Sequence, residues 1–149
     1  MKKALIIVVW SCLVLQAIAM NENYLIKPKI KQVFDGDTIQ IRTKQDDVSV
    51  RLYGIDCYET LINNHINYQK NDNISYEEII EKGKQAKLIL QDIIKNNKNI
   101  HLEIIGMDKK YGRLVGTFYY KDDENKFVNI NKLMQKTGFC PAYTYKPHS

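Results

Sequence analysis

The sequence predicts a mainly β domain with helices (α+β), built as a five-stranded barrel of the OB type with about two helices packed on it. Short segments between Ile26 and Leu52, and again between Ile100 and Tyr120, alternate apolar and polar residues as half-buried strands do. A single run at helical spacing, Ile79, Ala86, Leu90, Ile93 and Ile94, separates the two groups. A chain of 149 residues, 44% hydrophobic and 26% charged, can fill one core but not two, and is neither disordered nor fibrous in composition.

The first element is a targeting segment. Met1-Lys2-Lys3 is a charged start, residues 4–15 are apolar, and Ala17-Ile18-Ala19 supplies the small residues a signal peptidase needs. Residues 1–19 are therefore expected to be a signal peptide, leaving residues 20–149 as one domain exported to a periplasm or out of the cell. The alternative is an uncleaved membrane anchor, for which the apolar run is short. Removing Lys2 and Lys3 takes 22 basic residues to 20 against 17 acidic, a net charge of about +3. That bias towards anionic partners is too mild for a protein that binds nucleic acid by charge alone.

Residues 26–34 read as a first strand. Asp35-Gly36-Asp37 is a turn signal, and Ile39 and Ile41 mark a second strand. After a turn at residues 44–47, Val48, Val50 and Leu52 form a third, giving a meander. Strict alternation would put Asp56 on the opposite face from Arg51, so the strand is expected to end or bulge near Gly54, letting both reach one site. Residues 60–74, rich in Asn and without periodicity, read as a long exposed loop. Ser75-Tyr76-Glu77-Glu78 fits a capping box at a helix start, with Gly83 as an alternative start and Asn96-Asn97 as the end. Ile100, Leu102 and Ile104 mark a fourth strand, and residues 114–120 a fifth that turns at Asp122-Asp123. Asn129 caps a short helix carrying Ile130, Leu133 and Met134, stopped by Gly138. Residues 139–149 are extended, with Pro141 and Pro147 opposing helix.

Outside the leader only Cys57 and Cys140 remain, and an oxidising compartment permits a bridge between them or two unpaired cysteines packed as small hydrophobes. With no C-x-x-C element, and His65, His101 and His148 scattered, a zinc site is not expected.

Five blocks carry a resemblance: DGDT at residues 35–38, RLYGIDCYE at 51–59, KYGR at 110–113, VNINKLMQKTG at 128–138 and AYTYKP at 142–147. In this order they resemble the staphylococcal nuclease (thermonuclease) family, from about residue 29 to residue 147. The resemblance implies an OB barrel with packed helices and calcium-dependent hydrolysis of DNA and RNA, cutting on the 5′ side of the phosphate and leaving 3′-phosphates. It makes Asp37 and Asp56 the direct calcium ligands, the backbone carbonyl of Cys57 another, and Asp35 a group close by or acting through water. Arg51 and Arg113 become the phosphate clamp and Glu59 the general base. Lys110 and Tyr111 match residues that hold a terminal phosphate, and Tyr143 and Tyr145 match aromatics lining the nucleotide pocket. The implied partner is nucleic acid, single strands favoured, met by a monomer with no stable membrane association after the leader is removed. The positions of Cys57 and Cys140 lie near one another in relatives, which favours the bridge.

Three departures accompany the resemblance. Tyr58 stands where the family usually has proline, which loosens the loop presenting Glu59. The loop at residues 60–74 is longer than is typical. A third, C-terminal helix carried by many relatives is expected to be absent, since the chain ends at Ser149.

The residue types suit this chemistry by themselves. Hydrolysing a phosphodiester requires an anionic ester to be neutralised and the growing charge on phosphorus to be met, and a planar guanidinium donating two parallel hydrogen bonds does both. Carboxylates without a Cys or His cluster describe an all-oxygen site for calcium or magnesium. Singly, each residue is ordinary: Asp35 and Asp37 are turn formers, Arg51 a structural ion-pair partner, Glu59 a solvated loop acid. Two other classes of function stay open. One is a non-catalytic OB module that binds single-stranded nucleic acid, told by loss of the acids or arginines, all of which are present. The other is a secreted interaction domain in which calcium stiffens a loop, and it leaves the arginine pair unexplained.

Overall fold

A computed structural model of the chain describes residues 24–144; the expected signal peptide and Tyr145 lie outside them. The first half runs β1 (Leu25–Ile26), β2 (Lys29–Asp35), β3 (Thr38–Arg42), β4 (Asp47–Leu52), α1 (Ile66–Gln69) and α2 (Tyr76–Asn96). The second runs β5 (Ile100–Asp108), β6 (Arg113–Lys121), β7 (Phe127–Asn129) and α3 (Ile130–Lys136). The α+β class is as expected. Among the described residues there are seven strands and three helices, where five and about two were expected.

The strands form one sheet in the order β1-β5-β6-β4-β3-β2, with β7 paired to β6. The meander β2-β3-β4 is antiparallel, and β4 pairs with β6 in parallel, matching Val50 to Leu114 and Arg51 to Val115. The sheet is not closed, β1 and β2 being its edges, and a barrel of the OB type is partly open. Those edges are separated in the chain only by Lys27 and Pro28, so one segment serves both ends of the sheet. Pro28 has no N–H to give a ladder, and it splits the expected first strand into a piece that pairs with β5 and a piece that pairs with β3.

One apolar layer holds sheet and helices together. Ile39, Val50, Leu52, Leu102 and Phe118 from the sheet meet Ala86 and Leu90 of α2 and Ile130 and Met134 of α3, all fully buried. Each large side chain so buried contributes about 1.5–3 kcal/mol. Both expected caps are made: Ser75 Oγ accepts from the Glu78 N–H at 3.1 Å, and Asn129 Oδ1 from the Lys132 N–H at 2.9 Å. The Glu78 side chain pairs with Lys82 at 3.0 Å, so the reciprocal half of a capping box is replaced by an i,i+4 ion pair.

Gly83 does not start the helix; it lies within α2, and its reason is steric. A Cβ there would stand 2.2 Å from the Glu59 carbonyl oxygen and 2.6 Å from that of Tyr58. Only a bare backbone lets α2 rest on this segment. Gly83→Ala should therefore destabilise the fold by about 1–3 kcal/mol, although alanine in an open helix position gains about 1 kcal/mol over glycine. Thermal unfolding of the variant checks the sign, and a rise in midpoint would refute the contact.

Residues 60–74 are not wholly an exposed loop. Ile66 and Ile74 are buried against Ile79 of α2, with Tyr58 and Ile80 packed at the edge, and this second small cluster anchors α1. The aliphatic residues of this stretch are Leu61, Ile62, Ile66 and Ile74, of which only the last two are buried, and their spacing through Asn-rich sequence does not register as a period. Asn63 Oδ1 accepts from the His65 and Ile66 N–H groups at 2.9 Å and so opens the helix.

After α3, Gly138 turns the chain at φ +80, and the tail runs antiparallel beside the segment following β4. The Tyr58 N–H bonds the Phe139 carbonyl at 3.0 Å, the Asp56 N–H that of Pro141 at 2.9 Å, and the Tyr143 N–H that of Gly54 at 2.9 Å. Directly between the first two lies a disulfide joining Cys57 and Cys140. The bridge favoured by the resemblance is present, and both cysteines are buried.

Candidate active site

The first acidic turn, between β2 and β3, places Asp35 and Asp37. Asp35 Oδ1 accepts the Asp37 N–H at 3.0 Å, which fixes the turn, and Asp37 points inward at 2% exposure. Gly36 fits because a Cβ there would meet Ala86 and Cys57 below 3 Å. Both oxygens of the Asp37 carboxylate are engaged: Oδ1 takes Thr38 Oγ1 at 3.1 Å and Arg51 at 3.1 Å, and Oδ2 takes the Cys57 N–H at 2.6 Å. Burial pushes its carboxyl well above the usual carboxylate range against the pull of Arg51, with Asp35 and Asp56 adding to the rise.

Arg51 sits on β4 facing away from the main core, since its neighbours Val50 and Leu52 face into it. β4 ends at Leu52, and Gly54 takes φ +82, so the chain turns as anticipated and Asp56 comes back to the arginine. One guanidinium nitrogen bonds Asp37 and the other Asp56, and the Arg51 side chain is only 12% exposed. His65 Nε2 lies 3.1 Å from Asp56 on its other side.

Glu59 is held by the segment at residues 60–74. Its Oε2 accepts Asn63 Nδ2 at 2.6 Å, and its N–H donates to Gln69 Oε1 at 3.0 Å. Gln69 Nε2 donates to the Cys57 carbonyl at 2.9 Å, the atom expected among the metal ligands. Sequence reasoning missed Asn63, His65 and Gln69. The Asn63 to Ile66 capping pattern was the one local signal available.

Arg113 opens β6, two residues before Val115, the partner of Arg51. Strand alternation therefore puts both arginines on one face, their Cα atoms about 8 Å apart from strand rise and spacing. Arg113 bonds Asp108 at 3.0 Å, stacks 4.7 Å above the Tyr111 ring, and keeps a buried Nε with no hydrogen-bond partner. Although burial alone would raise it, the Asp108 carboxyl is held below its usual range by the bond from Arg113. Lys110 lies 5.0 Å from the same ring, so Lys110, Tyr111 and Arg113 form one corner. Tyr143 is 44% exposed on the tail strand beside Gly54. Tyr145 lies outside the described residues.

Among the described residues no three His, Cys, Asp or Glu side chains gather closely enough to hold a metal ion by themselves. The oxygens of Asp37 and Asp56 with the Cys57 carbonyl still suit a hard cation, since the set contains no sulfur donor and one of its three members is backbone. A cation beside Asp37 would also offset the burial that raises its carboxyl. Two surface cavities of about 360 and 520 Å³ lie along β2 and the C-terminal part of α2, away from all these groups.

The sheet with its packed helices is that of an α+β domain of the OB type, and Asp37, Arg51 and Asp56 meet beside β4. Residues 49–149, more than half of the chain, match the family model described as staphylococcal nuclease homologue, and the chain belongs to that family. No curated protein matches it. The match begins at Ser49, so Asp35 and Asp37 fall outside it; the place of Asp37 in the site rests on its contacts to Arg51 and Cys57, and that of Asp35 on its bond to the Asp37 N–H.

Proposed function

We propose that this chain is an exported, calcium-dependent nuclease that hydrolyses phosphodiester bonds of DNA and RNA on the 5′ side of the phosphate. The observation that carries the reading is the meeting of Asp37, Arg51 and Asp56 in one ion-pair group, with Arg113 on the same sheet face. Family membership supports a nucleic-acid substrate.

Arg51 and Arg113 would receive the scissile phosphate. Arg51 can turn a nitrogen from a carboxylate to a phosphate oxygen without losing its charge, and the orphaned Arg113 Nε gains the acceptor it lacks. Glu59 takes a proton from the attacking water, and Asn63 and Gln69 hold it in place while it does so. The water oxygen bonds phosphorus as the P–O5′ bond breaks, the leaving 5′ oxygen takes a proton from solvent water, and a 3′-phosphate remains. Calcium held by Asp37, Asp56 and the Cys57 carbonyl would supply positive charge beside the phosphate. Lys110, Tyr111 and Tyr143 flank the site as phosphate and base contacts. The disulfide supports export, because such bridges persist in oxidising compartments.

Incubation with single-stranded DNA and RNA should give 3′-phosphate fragments with calcium and none with a chelator. If the protein binds both polymers but cuts neither under any divalent ion, the non-catalytic OB module becomes the better reading.

A further inference from the structure

The side-chain amide of Gln69, at the end of α1, spans the segment between the disulfide and the proposed general base. Its Oε1 accepts the Glu59 N–H at 3.0 Å and its Nε2 donates to the Cys57 carbonyl at 2.9 Å. It thus offers residues 57–59 the donor and acceptor a neighbouring strand would. We infer that Gln69 is a positioning residue, holding the Glu59 carboxylate at its working angle through the Glu59 peptide; the inference rests on the nuclease reading.

The other contacts along this segment show why one amide matters. The Cys57 N–H is held by Asp37, the Tyr58 N–H by the Phe139 carbonyl, and the Glu59 carbonyl rests on Gly83. Among the described residues the Glu59 N–H has Gln69 as its partner, so this donor orients the peptide from which the Glu59 side chain leaves. Gln69 itself is fixed because Ile66, one turn earlier in α1, is fully buried against Ile74 and Ile79. A reach error of about 1 Å at a reacting group can cost roughly 10²-fold in rate, so the amide acts on the chemical step more than on binding.

Gln69→Met keeps the length of the side chain and removes both hydrogen bonds. It should lower kcat on single-stranded DNA about 10- to 100-fold and leave KM within about twofold. Amide exchange at Glu59, followed by NMR in the full folded chain, should speed up by about tenfold or more. Ile74→Val, which trims the anchoring cluster without touching the segment, serves as the control: it should lower stability while leaving kcat and Glu59 exchange near wild type. The inference fails if Gln69→Met cuts at the wild-type rate, or if its Glu59 amide exchanges no faster than that of Ile74→Val. A wild type that does not cut overturns the nuclease reading, and the exchange comparison then decides the Gln69 contact alone.

Discussion

Glu59→Gln should reduce kcat on single-stranded DNA by about 10² to 10⁴-fold with little change in KM or stability. The side chain keeps its shape and one oxygen, so the acceptor for Asn63 Nδ2 survives. Gln69, Gly83 and the tail strand hold the backbone of the segment, and none of them uses the Glu59 carboxylate. What the substitution removes is the capacity to take a proton. Loss confined to kcat therefore marks an interaction made in the transition state and not in the ground state. Steady-state rates with saturating calcium provide the measurement. Activity within about tenfold of wild type would place the base elsewhere and reduce Glu59 to a scaffold for Asn63.

Much of this site was legible because its chemistry is local or tied to a strand pattern. The caps at Ser75 and Asn129 depend on one side chain and the N–H three residues on, so sequence spacing is enough to find them. The return of Asp56 to Arg51 followed from counting alternation along β4 and noticing Gly54 where it had to break. Less was visible where the cause is long-range. Gly83 looked like a helix start because its need for bare backbone comes from Glu59, 24 positions earlier, and nothing in its own neighbourhood states it. β7 is three residues long and stands after a turn held by Asp122, below any periodicity threshold.

The segment at residues 60–74 is the clearest case. Polar composition made residues 60–74 look like solvated loop, yet that polarity is spent on the active-site chain: Asn63 on Glu59, His65 on Asp56, Gln69 on Cys57 and Glu59. Side chain to backbone bonds of this sort have no period, and their partners are set by where the loop folds. Tyr58, standing where the resemblance would put a proline, was expected to leave the loop loose. Here the loop is tied instead by Gln69 on one side and by the tail strand on the other.

Removing the disulfide is the change expected to cost the fold most. Cys57 and Cys140 are separated by 83 residues, a loop that encloses α1, α2, β5, β6, β7 and α3. Opening a loop of that length frees the unfolded chain by about 4.5 kcal/mol on the chain-entropy account, a large share of the roughly 5–15 kcal/mol typical of a domain. The Cys57→Ala, Cys140→Ala double variant should show this as a lower urea midpoint with a steeper slope, since the unfolded chain without its cross-link exposes more surface. The effect should also reach function. The bridge lies between the tail-strand bonds of Asp56 and Tyr58, and the Cys57 N–H donates to Asp37, so loosening it moves acids on both sides of Arg51. Calcium titration of the double variant, read by tryptophan-free methods such as calorimetry, should then give weaker binding than wild type at a temperature where both are folded. Two free thiols in the unfolded, unreduced wild-type protein would remove the bridge and this argument with it; loss of stability without loss of calcium affinity would confine it to the unfolded chain.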